Sequence, residues 1–105
     1  MRPNVLFVMC DQLRADHIAA LGHAHAFTPG IDRLVREGAA FEHAYSTCPV
    51  CVPARETIRT GCEPPRTGVY QNGWPDLVDG QPTDAEQRCG PYLARRMGQL
   101  GYRTW

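Results

Sequence analysis

Residues 4–10, Asn-Val-Leu-Phe-Val-Met-Cys, constrain this chain more than any other segment. The run is apolar and rich in β-formers, and it does not alternate with polar residues. Such a run predicts a strand covered on both faces, as in a parallel sheet. It stops at Asp11-Gln12. A carboxylate then stands at the carboxyl end of a central strand, where open α/β sheets place their ligands.

The rest of the chain continues the pattern. Residues 13–21 carry a weak helical stripe of Leu13, His17, Ile18 and Leu21. A loop over 22–27 follows. Thr28-Pro29 reads as an N-cap with proline at the first helical position. Ile31, Leu34 and Val35 form the buried stripe of that helix, and Gly38 stops it. Residues 39–45 predict a second strand, with Phe41 and Tyr45 on one face. Pro53 opens a short helix that ends at Thr60-Gly61. Residues 62–82, rich in proline and glycine, predict an irregular covering segment that includes Trp74. Thr83 with Glu86 makes a capping box. Cys89, Leu93, Met97 and Leu100 keep helical spacing, so a helix is predicted over 91–99, stopped by Gly101. Tyr102 to Trp105 opens a third strand. Strand, helix, strand, helix, helix, strand is an α/β order. Its 105 residues amount to one domain at most, residues 1–105. The last strand is interrupted at Trp105, so the chain is expected to be part of a longer polypeptide.

Charge excludes some functions. The formal net charge is zero, which gives no broad basic surface for nucleic acid. All eleven basic residues are arginine, so any anion site must use guanidinium forks, histidine or backbone N–H groups. An apolar run as short as Val5 to Cys10 predicts neither a membrane span nor a signal peptide. A cytoplasmic, reducing setting follows as the default. In that setting Cys10 is a small core residue, and Cys62 and Cys89 are free structural thiols.

Cys51-Val52-Pro53-Ala54-Arg55 concentrates the chemistry. Pro53 fixes where the helix begins, which places Cys51 just before the unpaired N–H groups and the positive end of the dipole. That position favours an anionic sulfur or an anionic substrate group. Arg55, within the first turn, reaches back toward the same point. A nucleophile, a helix N-terminus and an arginine suit a tetrahedral oxyanion ester.

Residues 51–61, Cys-Val-Pro-Ala-Arg-Glu-Thr-Ile-Arg-Thr-Gly, resemble the signature of the sulfatase family, Cys-x-Pro-x-Arg with a trailing Thr-Gly. Ile58 stands where leucine is commoner, and Ala54 where serine is usual. Residues 3–9 resemble the family's first strand and residues 11–16 its metal-binding segment. Residues 28–45 resemble the helix and strand before the signature. Leu100-Gly101-Tyr102-Arg103-Thr104 resembles the strand after it.

The resemblance implies an alkaline phosphatase-like α/β fold, present here as an N-terminal part with a mostly parallel sheet flanked by helices. It implies hydrolysis of a small-molecule or saccharide sulfate ester. It also implies that a formylglycine-generating enzyme oxidises Cys51 to formylglycine, whose hydrated form attacks sulfur. By match, Asp11, Gln12 and the residue formed from Cys51 are metal ligands. The metal would be Ca2+, with Mg2+ or Mn2+ as alternatives. Arg55 stabilises the modified residue and the substrate charge. An Asp-Gln pair, rather than Asp-Asp, resembles the subset of choline sulfatases and phosphonate monoester hydrolases, and Asn72 resembles that subset's substrate-side asparagine. A phosphonate or phosphodiester hydrolase is therefore the near alternative. The family's Gly-Lys-Trp-His segment, its later metal pair and its lysine have no match in residues 1–105. The isolated chain is accordingly expected to be inactive.

Two other readings compete. Cys48-Pro49-Val50-Cys51 resembles a thiol redox motif of the glutaredoxin type. That motif has its reactive cysteine first, has no second proline at the position of Pro53, and leaves Asp11, Gln12 and Arg55 unexplained. Cys48 and Cys51 could also join Cys62, Cys89, His17, His23, His25 or His43 around zinc, but the spacing past the first pair is irregular. His23 and His25 read as solvated loop residues, Arg14 and Asp16 as a surface pair, and Asp11 taken alone as a helix N-cap.

Overall fold

A computed structural model describes residues 3–73, 77–78, 81–82 and 84–105. The chain divides into two compact units, residues 1–44 and 45–105. Trp74 and Thr83, expected in a covering segment and a capping box, lie outside the described residues.

The first unit is built on helix α1, Pro29–Glu37. Thr28 is its N-cap and Pro29 its first residue, as the sequence predicts. The Thr28 hydroxyl does not cap the helix, however. It accepts from Ala19 N at 3.0 Å and donates to Asp32 Oδ1 at 2.8 Å. Asp32 Oδ1 also accepts from Ala20 N at 2.9 Å. The two polar side chains thereby tie α1 to two 3-10 turns, Ala15–His17 and Ala19–Leu21. These turns occupy the segment where a weak helix is predicted. Gly38 ends α1 through its N–H on Leu34 O, 2.9 Å.

The second unit contains α2, Cys51–Thr60, and α3, Pro64–Thr67. An antiparallel pair follows, β1 Leu77–Val78 with β2 Gln81–Pro82. Helices α4, Ala85–Cys89, and α5, Leu93–Gln99, complete it. Helix α2 buries Pro53, Glu56 and Thr60, at a spacing of three and four that makes one helical face. Thr67, Val69, Ala85 and Cys89 are also buried in this unit, where α2 packs against α3 and α4. Gly61, at φ 72°, stops α2 in a left-handed conformation that only glycine adopts without cost. Asp84 caps α4 by accepting from Gln87 N at 3.1 Å. Helix α5 ends in a Schellman pair, Tyr102 N on Met97 O at 3.0 Å and Gly101 N on Gly98 O at 2.9 Å. Among the described residues, no helix is long and apolar enough to cross a membrane.

The expected strands are not formed. Residues 3–10, 39–45 and 102–105 have no regular secondary structure. Among the described residues, the two-residue antiparallel pair β1–β2 is the sole pairing and there is no parallel sheet. The reason is physical. A strand that is apolar on both faces is stable only when neighbours take its N–H and C=O groups and cover both sides. Nothing described here does so. Leu6 is 88% exposed, and Cys10, expected in the core, is exposed as well.

Candidate active site

The site is assembled around the start of α2. The helix begins at Cys51 itself, with Val50 as N-cap, rather than at Pro53. Pro53 is the third helical residue, where its missing N–H breaks no intrahelical bond. Ala54 N makes the first such bond, to Val50 O at 3.0 Å. Cys51 and Val52 therefore carry the two backbone N–H groups ahead of it.

Asn72 reaches this point from a separate segment. Its Oδ1 accepts from Val52 N at 2.8 Å, across a sequence separation of twenty residues. Two residues earlier, Tyr70 O accepts from the Cys48 thiol at 4.0 Å, a weak contact. The 70–72 segment thus grips the chain on both sides of Cys51. Ser46 Oγ donates to Cys48 O at 2.9 Å and shapes the loop that leads in. Arg55 follows Cys51 by four residues on an α-helix, so the two share one face one turn apart. Arg55 is exposed, and Cys51 is half-buried.

Behind this face a buried cluster anchors α2. Glu56 is 7% exposed, and its Oε2 bonds Arg59 Nη1 at 3.1 Å. The Arg59 guanidinium lies 3.9 Å from the centre of the Tyr92 ring. Burial, and then the Glu56 carboxylate, push the Tyr92 hydroxyl up to about 12. Thr60 donates to Glu56 O at 2.7 Å and accepts from Cys62 N at 3.1 Å. Sequence reasoning missed Tyr70, Glu56 and Tyr92. A buried acid four residues before Thr60 is the one signal for any of them.

Asp11 and Gln12 belong to the first unit, where both are exposed. Gln12 has φ 53°, the one non-glycine residue in the left-handed region among those described. Such a conformation costs about 1 kcal/mol or more and is commonly kept for a purpose. Nearby, Arg14 grips both oxygens of Asp16, and His17 Nδ1 approaches Asp16 at 2.9 Å. These bonds, Arg14 first, lower the Asp16 carboxyl to about 2. The pair is exposed, as the sequence suggests. His23 is half-buried rather than solvated, with its ring 4.8 Å from that of His17, while His25 is exposed.

All five cysteines are free thiols. Among the described residues, no three of His, Cys, Asp and Glu gather to hold a metal, zinc included. Asp11 and Gln12 are hard oxygen donors of the kind calcium and magnesium take, so they fit in chemistry but are too few to fill a sphere of six to eight. A depression of about 390 Å³ lies between α4 and α5, bordered by Asp84, Glu86, Arg95 and Gln99, and includes none of Cys51, Arg55 or Asn72.

The family model for sulfatases matches residues 3–105. The chain belongs to the sulfatase family. It is 39% identical over 61 residues to an arylsulfatase of Clostridium perfringens, covering 58% of this chain and 13% of that protein. It is 32% identical to the human N-acetylgalactosamine-6-sulfatase over 93% of this chain and 20% of that one. A multifunctional alkaline phosphatase superfamily protein of Trinickia caryophylli is 45% identical over 57% of this chain and 13% of its own length. The chain thus spans a fifth or less of each of these relatives. No solved structure matches it. Membership of this superfamily suggests an α/β fold, although the described residues form helices and a single two-residue pair.

Proposed function

We propose that this chain supplies the nucleophile segment of a sulfuric ester hydrolase, with formylglycine derived from Cys51 as the attacking group. The carrying observation is the start of α2. There Cys51 is the first helical residue, Arg55 is one turn on, and Asn72 is bonded to the Val52 N–H at 2.8 Å. Backbone N–H groups at a helix start and a guanidinium favour a bound oxyanion. One hydroxyl of the hydrated aldehyde attacks sulfur. The bond from sulfur to the ester oxygen breaks, and the alcohol leaves with a proton. Arg55 balances the charge of the sulfate oxygens through this step. Asn72 holds the first turn, and with it residue 51, in place.

A divalent cation, calcium by preference, would be held in part by Asp11 and Gln12. Such an ion lowers the pKa of a nearby hydroxyl and offsets charge on sulfate oxygens. The modification requires a formylglycine-generating enzyme as a partner. The substrate is a small-molecule or saccharide sulfate ester.

One observation favours a second reading. The relative in Trinickia caryophylli is described as a multifunctional alkaline phosphatase superfamily protein. A phosphonate or phosphodiester presents the same tetrahedral anion to Arg55. The two readings separate on an assay of the gene's whole product against matched aryl sulfate and aryl phosphonate esters. Faster sulfate release supports the first reading and faster phosphonate release the second. Either activity should fall at least about 10³-fold in Cys51→Ala, the scale of losing a covalent nucleophile. Full activity in that variant would remove the proposal.

A further inference from the structure

The first unit leaves its apolar residues uncovered. None of the described residues between 3 and 44 is buried. The chain as a whole exposes 8614 Å², whereas a folded monomer of 11.7 kDa exposes roughly 5,900 Å². The excess of about 2,700 Å² is larger than the roughly 1,200–2,000 Å² that a standard protein–protein interface buries. Residues 5–10 are the longest unbroken apolar stretch in the chain. Within it Val5 is 65% exposed, Phe7 62% and Val8 72%. No hydrogen bond joins the backbone of residues 4–10 to any described residue. The segment contains no charge, no proline and no glycine.

We propose that residues 4–10 are a self-association segment, through which copies of this chain stack as β-strands. The uncovered N–H and C=O groups need a strand of matching spacing, and the same segment of a second copy offers one. In such a strand Val5, Phe7 and Met9 fall on one side and Leu6 and Val8 on the other, so both sides are apolar. One pairing covers neither side, and further copies must. A short uncharged segment of high β-propensity without proline is the composition that packs in this way, as stacked strands with interdigitated faces. The formal net charge of the chain is zero, so copies meet without net repulsion at neutral pH. Asp11 directly follows the segment. Antiparallel pairing sets the Asp11 carboxylates of neighbouring copies at opposite ends, whereas parallel pairing in register sets them side by side, so the antiparallel arrangement is the one expected.

Cys51, Arg55 and Asn72 belong to the second unit and take no part in this pairing. The proposal therefore does not rest on the hydrolase reading, and either can fail alone. Leu6 and Val8 are exposed, so charge placed there removes no packing from the folded chain. In a stack of strands the same charge repeats at every copy, about 4.7 Å from the next, and opposes assembly.

The test follows the purified chain, under reducing conditions and at graded concentrations, by sedimentation and by hydrogen exchange read with mass spectrometry. The sedimenting fraction should grow with concentration, and amides of residues 5–10 should be protected in that fraction and open in the dilute monomer. Diffraction from the assembled material should show the spacings of stacked strands and sheets, about 4.7 and 10 Å. The double variant Leu6→Lys, Val8→Lys should assemble at least about tenfold more slowly. Phe41→Lys, exposed but outside the segment, should assemble as the parent chain does. A chain that stays monomeric at every concentration would overturn the proposal. So would protection of amides 5–10 that is independent of concentration, since the segment would then be covered by its own chain. Assembly that leaves those amides open, or that Phe41→Lys blocks and the double variant does not, would place the contact elsewhere and overturn it too.

Discussion

At the scale of single residues, Cys51 draws its character from the backbone around it. Pro53 has no N–H, so the donors ahead of the first intrahelical bond are those of Cys51 and Val52, and Asn72 takes the second at 2.8 Å. The bond acts as an N-cap supplied from a distance. Asn72→Ala should therefore cost about 1 kcal/mol and raise the exchange rate of the Val52 amide. Hydrogen exchange measured by NMR checks this, and an unchanged rate would show that the bond carries no weight. Asn72→Asp keeps an acceptor and should restore protection. The Cys51 and Arg55 pairing was legible in the sequence, since proline and helical spacing are local signals. The Asn72 bond was not. It spans twenty residues, and a side chain's partner at that distance depends on tertiary placement rather than on pattern. Asn72 was singled out by resemblance, as a substrate-side residue, and the structure gives it a backbone partner.

At the scale of elements, the helices follow their punctuation. Pro29, Gly38, Gly61 and Gly101 start or stop α1, α2 and α5 where the sequence places them. Helix α4 is capped by Asp84, an acceptor that the Thr83–Glu86 reading passed over. The strands failed for a different reason. Strand propensity in residues 4–10 is satisfied only by neighbours on both faces, and no local feature provides them. Helix α2 is held to the start of α5 through Glu56, Arg59 and Tyr92. Tyr92 titrates at about 12 in the folded chain against 10 in its ordinary state. Between those values the folded state holds the proton and the unfolded state releases it, so stability falls as pH rises from about 10 towards 12. Below 10 the contribution is fully present. Thermal melts across this window should show the decline, and Tyr92→Phe should flatten it. A slope unaltered in Tyr92→Phe would assign the loss to other groups.

At the scale of the whole molecule, the residues that resemble a sulfatase site are split between two units, Asp11 and Gln12 in one and Cys51, Arg55 and Asn72 in the other. Two hard oxygen donors fall short of a calcium sphere, and no larger metal-binding group gathers among the described residues. The purified chain, given calcium and an aryl sulfate, is therefore predicted to show no turnover above background. Calcium-dependent sulfate release by this chain alone would contradict that. The α/β order read from the pattern is what membership of the superfamily suggests, but the described residues do not form it. The sheet itself was not obtained, because its stability is a property of many strands together.

The central claim concerns residue 51, and it can be weighed directly. The chain is co-expressed with a formylglycine-generating enzyme and digested with trypsin, and the peptide of residues 37–55 is examined by mass spectrometry. The account predicts a species about 18 Da lighter than the cysteine form, or its hydrate, and neither in Cys51→Ala. A peptide that keeps both the Cys48 and Cys51 thiols intact, in cells where a known sulfatase is converted, would contradict it.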